Sequence, residues 1–496
     1  MNDPLVARTH LGPVRGFAGE GVNIWRGIRY AAPAEGALRW RPAQPASPWH
    51  DVRDATAYGT RSMQERPAGL PPFPDGDGDA PEGEDCLFLN VCGPAAPSPE
   101  PAGYPVLVWL HGGGFHFGSG ADMIGDGDGI AREGVVVVSV NYRLGALGFL
   151  YLEDVLGAEY ADAENCGLSD QIFALDWVRR NVAAFGGDPA RVTVTGVSAG
   201  AKSLMNVLAS PLARGLYHGA ISDSGGDHTA TREQAIAVRS RLTAALGVSV
   251  EELPDVPAAD IQAAQKQVAP GMSTWVWRAM TGTRFLPERP TVAVAAGSAA
   301  GVPLLAGTAR DEAGVYDDGD PRASDQADAV LTEIFGADGA EEVLAAYASN
   351  RPDATPRQVR RAVMGDERYG IPTIRLLEAQ AVHAPVWRWR FDGPVPGRDG
   401  IPRAGYHGDA TGAFWRDTTP GGSALRDEWL TLIKTGRASA AWPEYAQDRS
   451  TFVVRSADDA VTGGVAAGIV ADPDGVERRC WDAAEWQPGS WWADAP

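Results

Sequence analysis

The stretch Arg191-Val-Thr-Val-Thr-Gly-Val-Ser198-Ala-Gly200 decides the fold. Its β-branched run reads as a buried strand, and it stops in Gly-x-Ser-x-Gly before helix-compatible residues resume over 202–208. A strand-to-helix turn this tight strains its central residue, and small neighbours are needed to permit it. Ser198 then stands above the sheet with a helix N-terminus beneath it. That is how an ordinary hydroxyl is presented as a nucleophile. The five-residue pattern alone does not establish such a site; its surroundings do.

Those surroundings alternate strand and helix. Val106–Leu110 reads as a buried strand ending in His111-Gly-Gly-Gly-Phe115, and Val135–Val140 as another running into Asn141-Tyr-Arg-Leu-Gly145. Helical spacing over 170–182 gathers Ile172, Leu175, Trp177 and Val178 on one apolar face, and Gly186-Gly-Asp-Pro189 breaks the chain before the Ser198 strand. Further strands are expected at Ala220–Asp223, Val302–Gly307 and Val386–Phe391. Alternation of this kind predicts the α/β class, a mostly parallel sheet covered by helices. Helical excursions are expected around 231–280 and 323–381 within a single domain spanning 1–496. Pro/Gly-rich loops at 66–83 and 394–402 mark the open boundaries.

Composition excludes several classes. A formal net charge of −21 over 496 residues argues against a nucleic-acid partner, because phosphate contacts require clustered Lys and Arg. The N-terminus, Met1 to Arg8, lacks the apolar core of a signal peptide, and the run Val135–Val138 is far too short to span a bilayer. Four cysteines are too few for a disulfide scaffold. Cys86 and Cys92 lie on one apparent strand, roughly 20 Å apart if extended, so they should not pair. A cytoplasmic protein with reduced thiols and no membrane partner is expected.

A serine hydrolase needs three further parts. His111-Gly112-Gly113-Gly114 follows a strand and offers closely spaced backbone N–H donors unobstructed by any Cβ. With the N–H of Ala199, Gly113 and Gly114 are candidates for an oxyanion hole. For the general base, the order Ser, acid, His directs attention past the nucleophile. His407, in Gly405-Tyr-His-Gly-Asp409, follows the strand at 386–391, where a sheet's carboxyl edge presents side chains. His383 precedes that strand and reads as structural, and His228 comes before any plausible acid. For the acid, the turn Gly307-Thr-Ala-Arg-Asp311-Glu312 carries adjacent carboxylates; order alone does not choose between Asp311 and Glu312.

With these parts in view the chain resembles the type-B carboxylesterases, the family of cholinesterase-like and bacterial p-nitrobenzyl-type esterases. The resemblance runs through Trp25-Arg-Gly-Ile-Arg-Tyr30, Gly83-Glu-Asp-Cys-Leu-Phe-Leu-Asn-Val91, His111–Phe115, Asn141–Gly145, Asn165-Cys-Gly-Leu-Ser-Asp-Gln171, Phe185–Pro189, Gly196–Gly200, Asp311-Glu312, His407-Gly408 and Trp442-Pro-Glu-Tyr445. It implies an α/β-hydrolase fold, no cofactor, no metal, a small-molecule ester substrate, and a triad of Ser198, Glu312 and His407, so it selects Glu312 as the acid. It also suggests that Ser224 lies beside the triad. The implied activity is carboxylic-ester hydrolysis through an acyl-enzyme. Amide or carbamate cleavage by the same machinery is the alternative, and a non-catalytic binding role is a remote one, since every catalytic position is filled.

Departures from the family pattern carry information. Many relatives have Glu before the nucleophile, where this chain has Val197, so a cationic choline-type substrate is disfavoured. Ser62 stands where secreted relatives carry a cysteine bonded to the position of Cys86, which implies that this disulfide is absent. Phe115, beside the glycine loop, Val197, and Trp415, shortly after His407, are candidates for the substrate pocket; Phe117, Trp275, Trp277 and Phe285 are weaker ones. Asp75-Gly-Asp-Gly-Asp79 begins like a calcium loop but lacks the central Gly and the closing Glu, so it reads as a solvated loop. Oligomeric state, acyl-chain length and stereochemical preference leave no mark in the sequence.

Overall fold

Along 104–110 successive side chains are apolar with no polar break, the mark of a strand buried on both faces. The computed structural model, which describes residues 3–64, 80–122, 124–269, 276–317, 322–393, 395–396, 402–416, 420–446, 448–455 and 467–489, places that strand near the middle of an eleven-stranded sheet. Its strands are β1 (Phe17–Ala18), β2 (Val22–Arg29), β3 (Phe88–Pro94), β4 (Tyr104–Leu110), β5 (Val136–Val140), β6 (Gly187–Val197), β7 (Gly219–Asp223), β8 (Leu304–Ala309), β9 (Val386–Gly393), β10 (Ser450–Arg455) and β11 (Ala467–Ala471). The order across the sheet is β11-β10-β9-β8-β7-β6-β4-β5-β3-β2-β1. From β5 through β10 every pairing is parallel, and antiparallel strands finish both edges.

The two faces feed two cores. Val106, Val108 and Leu110 join Val136, Val138, Val192, Val194, Ala220 and Leu304 in the larger one, which also takes Leu175, Trp177 and Val178. Leu107 and Trp109 point the other way, with Val137, Ile221, Leu305, Trp387 and Trp389, toward Phe414, Trp429 and Leu432. This is the period-two alternation of a strand applied to a sheet covered on both sides.

Several expected boundaries move, three of them instructively. The helix with Ile172 and Leu175 begins at Cys166 and ends at Asn181, because its first turn is as buried as its middle and shows no polar face. Gly187 does not break the chain before β6 but already pairs with Tyr104, and the register slips before Val192. The strand at 302–307 runs from Leu304 to Ala309. Helices occupy 232–246 and 258–268 in the first expected excursion; in the second, two helices cover 322–349 on either side of a break at Gly336, followed by 356–365 and 371–381. The calcium-like stretch 75–79 and Trp275 lie outside the described residues. Among the described residues no helix is long and apolar enough to cross a membrane.

Candidate active site

The chain order reverses at β4, whose neighbours are β5 and β6. In an open α/β sheet such a switch leaves a crevice at the carboxyl ends of the strands. The glycine loop leaves the end of β4, and Ser198 leaves the end of the adjacent β6.

Ser198 adopts φ 58° and ψ −122°, a conformation sparsely populated by side-chain-bearing residues, and the helix Ala199–Ala209 starts immediately after it. Close approach explains the flanking glycines. A Cβ on Gly200 would overlap the Leu110 carbonyl oxygen, and one on Gly196 would sit 2.8 Å from that same oxygen. The Ser198 N–H donates to the Asp223 carbonyl at 3.0 Å, tying the turn to β7. The nucleophile candidate is thus locked by its neighbours, with only 5% of its surface exposed.

The oxyanion candidates come from the loop that packs on this turn. Gly113 and Gly114 both have positive φ, 109° and 61°, and a Cβ on Gly112 would lie 3.4 Å from Ser198 Cβ. The loop is pinned from several sides. Gln64 pairs with both the N–H and the carbonyl of Gly118, at 2.8 and 3.0 Å, and the Gly145 N–H donates to Phe115 O at 2.7 Å. His111 stacks on Tyr142 with centroids 4.3 Å apart, and its Nδ1–H donates to Gly112 O at 2.8 Å. Burial pulls this imidazole down to about 4, so it is neutral and acts as a rigid wedge.

Acid and base are brought together by strand extension. Beyond β8 and β9 the chains continue side by side: Asp311 bridges Tyr406, and the Asp311 N–H donates to Gly405 O at 3.0 Å. This register sets Glu312 Oε2 2.6 Å from His407 Nδ1. Glu312 Oε1 accepts from the Ala309 N–H at 2.6 Å and from Ser224 Oγ at 2.8 Å. Asp311 turns away to a two-pronged pair with Arg361, on the helix 356–365. Of the two carboxylates that order alone left open, Glu312 is the one that faces His407, and Asp311 is engaged by Arg361. Gly408, next to His407, lies against Val197, next to Ser198, with its Cβ position 4.0 Å from a Val197 methyl.

Other expected residues are distributed as follows. Phe115 packs edge-on against Phe149 at 5.0 Å and parallel to His228 at 6.3 Å. Phe149 in turn lines a cleft with Ala230, Gln234, Ala235, Val238, Val276 and Arg278. Val197 is buried in the smaller core. Trp415 packs against Trp109 and Phe414 on that same side, not with Phe115. His383 sits away from the site, its Nε2 2.8 Å from Ala295 O.

Sequence reading passed over two neighbours. Tyr369 comes from a π-helical turn, Asp366–Gly370, between the helices 356–365 and 371–381. Its ring lies 4.7 Å from His407, and its hydroxyl is 3.1 Å from that of Tyr316 and within hydrogen-bonding reach of Ser198. Lys202, one helical turn after Ser198, places its Nζ 4.5 Å from the Tyr369 ring and donates to Gly225 O at 3.0 Å. Burial, with Arg368 and Arg278 nearby, pulls its ammonium well below the usual lysine range. A lysine on the nucleophile's own helix was the one available signal. For Tyr369 there was none, because a π-turn has no periodicity to read.

Comparison with known proteins identifies the family and the fold. The carboxylesterase family model matches residues 3–418. A para-nitrobenzyl esterase of Bacillus subtilis is 36% identical, over 96% of this chain and 98% of its own. A phenmedipham hydrolase of Pseudarthrobacter oxydans is 32% identical, over 96% and 99%. Among solved structures, a carboxylesterase of Geobacillus stearothermophilus superposes with a TM-score of 0.83 at 31% identity, covering 96% of this chain and all of the other. A PNB esterase gives 0.80 at 32%, with the same coverage. The chain therefore belongs to the carboxylesterase family and is a carboxylic-ester hydrolase with the α/β-hydrolase fold.

Proposed function

We propose that Ser198, His407 and Glu312 form the catalytic triad, with Gly113, Gly114 and Ala199 donating the oxyanion hydrogen bonds. The observation that carries this reading is the 2.6 Å contact of Glu312 Oε2 with His407 Nδ1, beside a serine held at φ 58° on a strand-to-helix turn. His407 takes the Ser198 proton as the hydroxyl attacks the ester carbonyl. Glu312 keeps the imidazole in its working tautomer and stabilises the imidazolium that forms. The three N–H groups hold the oxyanion; the alcohol leaves with the proton from His407, and water repeats the cycle on the acyl-enzyme. Each oxyanion donor is expected to supply about 3 kcal/mol. One domain carries the whole apparatus in this reading, with Phe115 on the substrate side, while Val197 and Trp415 pack into the smaller core on the other face of the sheet.

Ser62 reaches the Cys86 thiol, and all four cysteines are free. Together with the likeness to an esterase of Bacillus subtilis, this supports a reducing bacterial cytoplasm as the working compartment. Uncharged esters are the preferred substrates, because Val197 places no carboxylate beside the nucleophile. Treatment with an organophosphate followed by mass spectrometry is expected to label Ser198, and the S198A variant to escape labelling and lose hydrolysis of p-nitrophenyl esters. No adduct on Ser198 in an actively hydrolysing enzyme would overturn the triad. A panel of p-nitrophenyl esters of increasing chain length, with p-nitrobenzyl esters, phenmedipham, an anilide and a carbamate, ranks the substrate classes.

A further inference from the structure

Asp223 is 1% exposed and closes β7, directly before Ser224. Each of its oxygens meets a different arm of the site. The backbone carbonyl accepts the Ser198 N–H at 3.0 Å, across the parallel pairing of Val197 with Asp223. Oδ1 lies 2.9 Å from Ser224 Oγ, which is itself 2.8 Å from Glu312 Oε1. Oδ2 accepts from the N–H and the hydroxyl of Thr411, at 3.0 and 2.7 Å. Thr411 lies in the first turn of the helix Asp409–Arg416, which begins two residues after His407.

We propose that Asp223 is a positioning residue that holds nucleophile, acid and base-bearing loop in one register, and that a proton shared along Asp223–Ser224–Glu312 directs the acid toward His407. This rests on the triad reading above. The proton follows from counting. The Ser224 hydroxyl carries one hydrogen, yet its oxygen lies within hydrogen-bond distance of two carboxyl groups. Both contacts are satisfied when one of the two carboxyls is protonated, and because Glu312 Oε1 already accepts the Ala309 N–H at 2.6 Å the proton falls to Asp223: its O–H donates to Ser224 Oγ, and Ser224 donates to Glu312. Burial and the neighbouring Glu312 push the Asp223 carboxyl up to about 6, which makes this form accessible. The titratable groups facing it are Glu312 and His407, and the polar ones are Ser224 and Thr411.

An asparagine at 223 reproduces the protonated form, since its amide N–H can donate to Ser224 while its oxygen accepts from Thr411. The experiment compares D223A, D223N and T411V with the intact enzyme over pH 5 to 9, using a p-nitrophenyl ester and the NMR titration of His407. D223A is expected to lower kcat about 10- to 100-fold with KM unchanged, because misplacement of the triad costs turnover rather than binding. D223N is expected to recover most of that loss. Its acid limb should follow that of the intact enzyme, since the amide replaces a carboxyl that already carries the proton there, whereas D223A, which releases Glu312, should displace the His407 titration. T411V is expected to lie between the two. Wild-type kcat and pH profile in both D223A and T411V would overturn the proposal, as would a D223N variant as impaired as D223A. The His407 titration needs no turnover, so a failed Ser198 labelling with a shifted titration sinks the triad reading and not the contact network, whereas labelling with an unshifted titration sinks the network alone.

Discussion

At the scale of single residues, the serine turn was legible because its geometry allows few sequences. Gly196 and Gly200 are dictated by the Leu110 carbonyl, and that constraint is local. The proposed acid could not be chosen from its own turn. Asp311 and Glu312 differ only in what reaches them: Arg361, fifty positions away, takes the first, and the loop carrying His407 takes the second. This gives an asymmetric expectation. Glu312→Gln leaves the shape intact but removes the charge facing the imidazole, and kcat should fall by about 10⁴-fold, as for comparable triad amides. Asp311→Asn weakens an ion pair with Arg361 and should change kcat by less than about tenfold. Steady-state kinetics of the two variants decide the matter, and equal losses would reassign the acid.

At the scale of elements, strands were read more faithfully than helices. β4, β5 and β9 carry apolar runs with no alternative packing, whereas the helix Cys166–Asn181 is buried on nearly every side and has no polar stripe to mark its start. The turn leading into it, Ala163–Asn165, hides Glu164, whose Oε2 has no hydrogen-bond partner. Desolvation, with Asp162 and Glu153 nearby, raises this carboxyl to about 7. A carboxyl raised in the folded state binds its proton more tightly there than in the unfolded chain. Its contribution is therefore complete below about pH 4 and lost as pH rises through about 7. The loss amounts to at most about 3 kcal/mol. Glu164→Gln should leave stability at pH 4 nearly unchanged and raise it at pH 8; denaturant midpoints at the two pH values measure this. Equal midpoints for variant and wild type at pH 8 would show that Glu164 ionises without penalty.

At the scale of the molecule, the sheet decides which residues can meet. Alternation along β4 sends Leu110 and Trp109 to opposite cores, so Trp415, which packs on Trp109, joins the face away from Phe115. Sequence proximity to His407 could not reveal that, because one helical turn suffices to change sides. Long-range ties of this kind also include Arg143 and Asp170, both almost fully buried, paired at 2.6 and 2.8 Å and binding the loop after β5 to the helix Cys166–Asn181. Arg143→Ala leaves a buried carboxylate unpaired and should destabilise the fold by about 3–5 kcal/mol, read as a drop in denaturation midpoint.

The same packing leaves Ser62 against the Cys86 thiol, which burial pushes up to about 12. Ser62→Cys would set two sulfurs in contact. The buried thiolate is so scarce at neutral pH that the bond should form during oxidative refolding rather than in the folded protein. Closing the loop between these positions should then contribute about 3 kcal/mol, seen as a rise in melting temperature that reductant abolishes. Thiol titration of the refolded variant counts the sulfhydryls consumed. A bond that forms without raising the melting temperature would mean that the loop is already as constrained in the unfolded chain, or that the bridge strains β3 and the turn before it by as much as it removes in chain entropy.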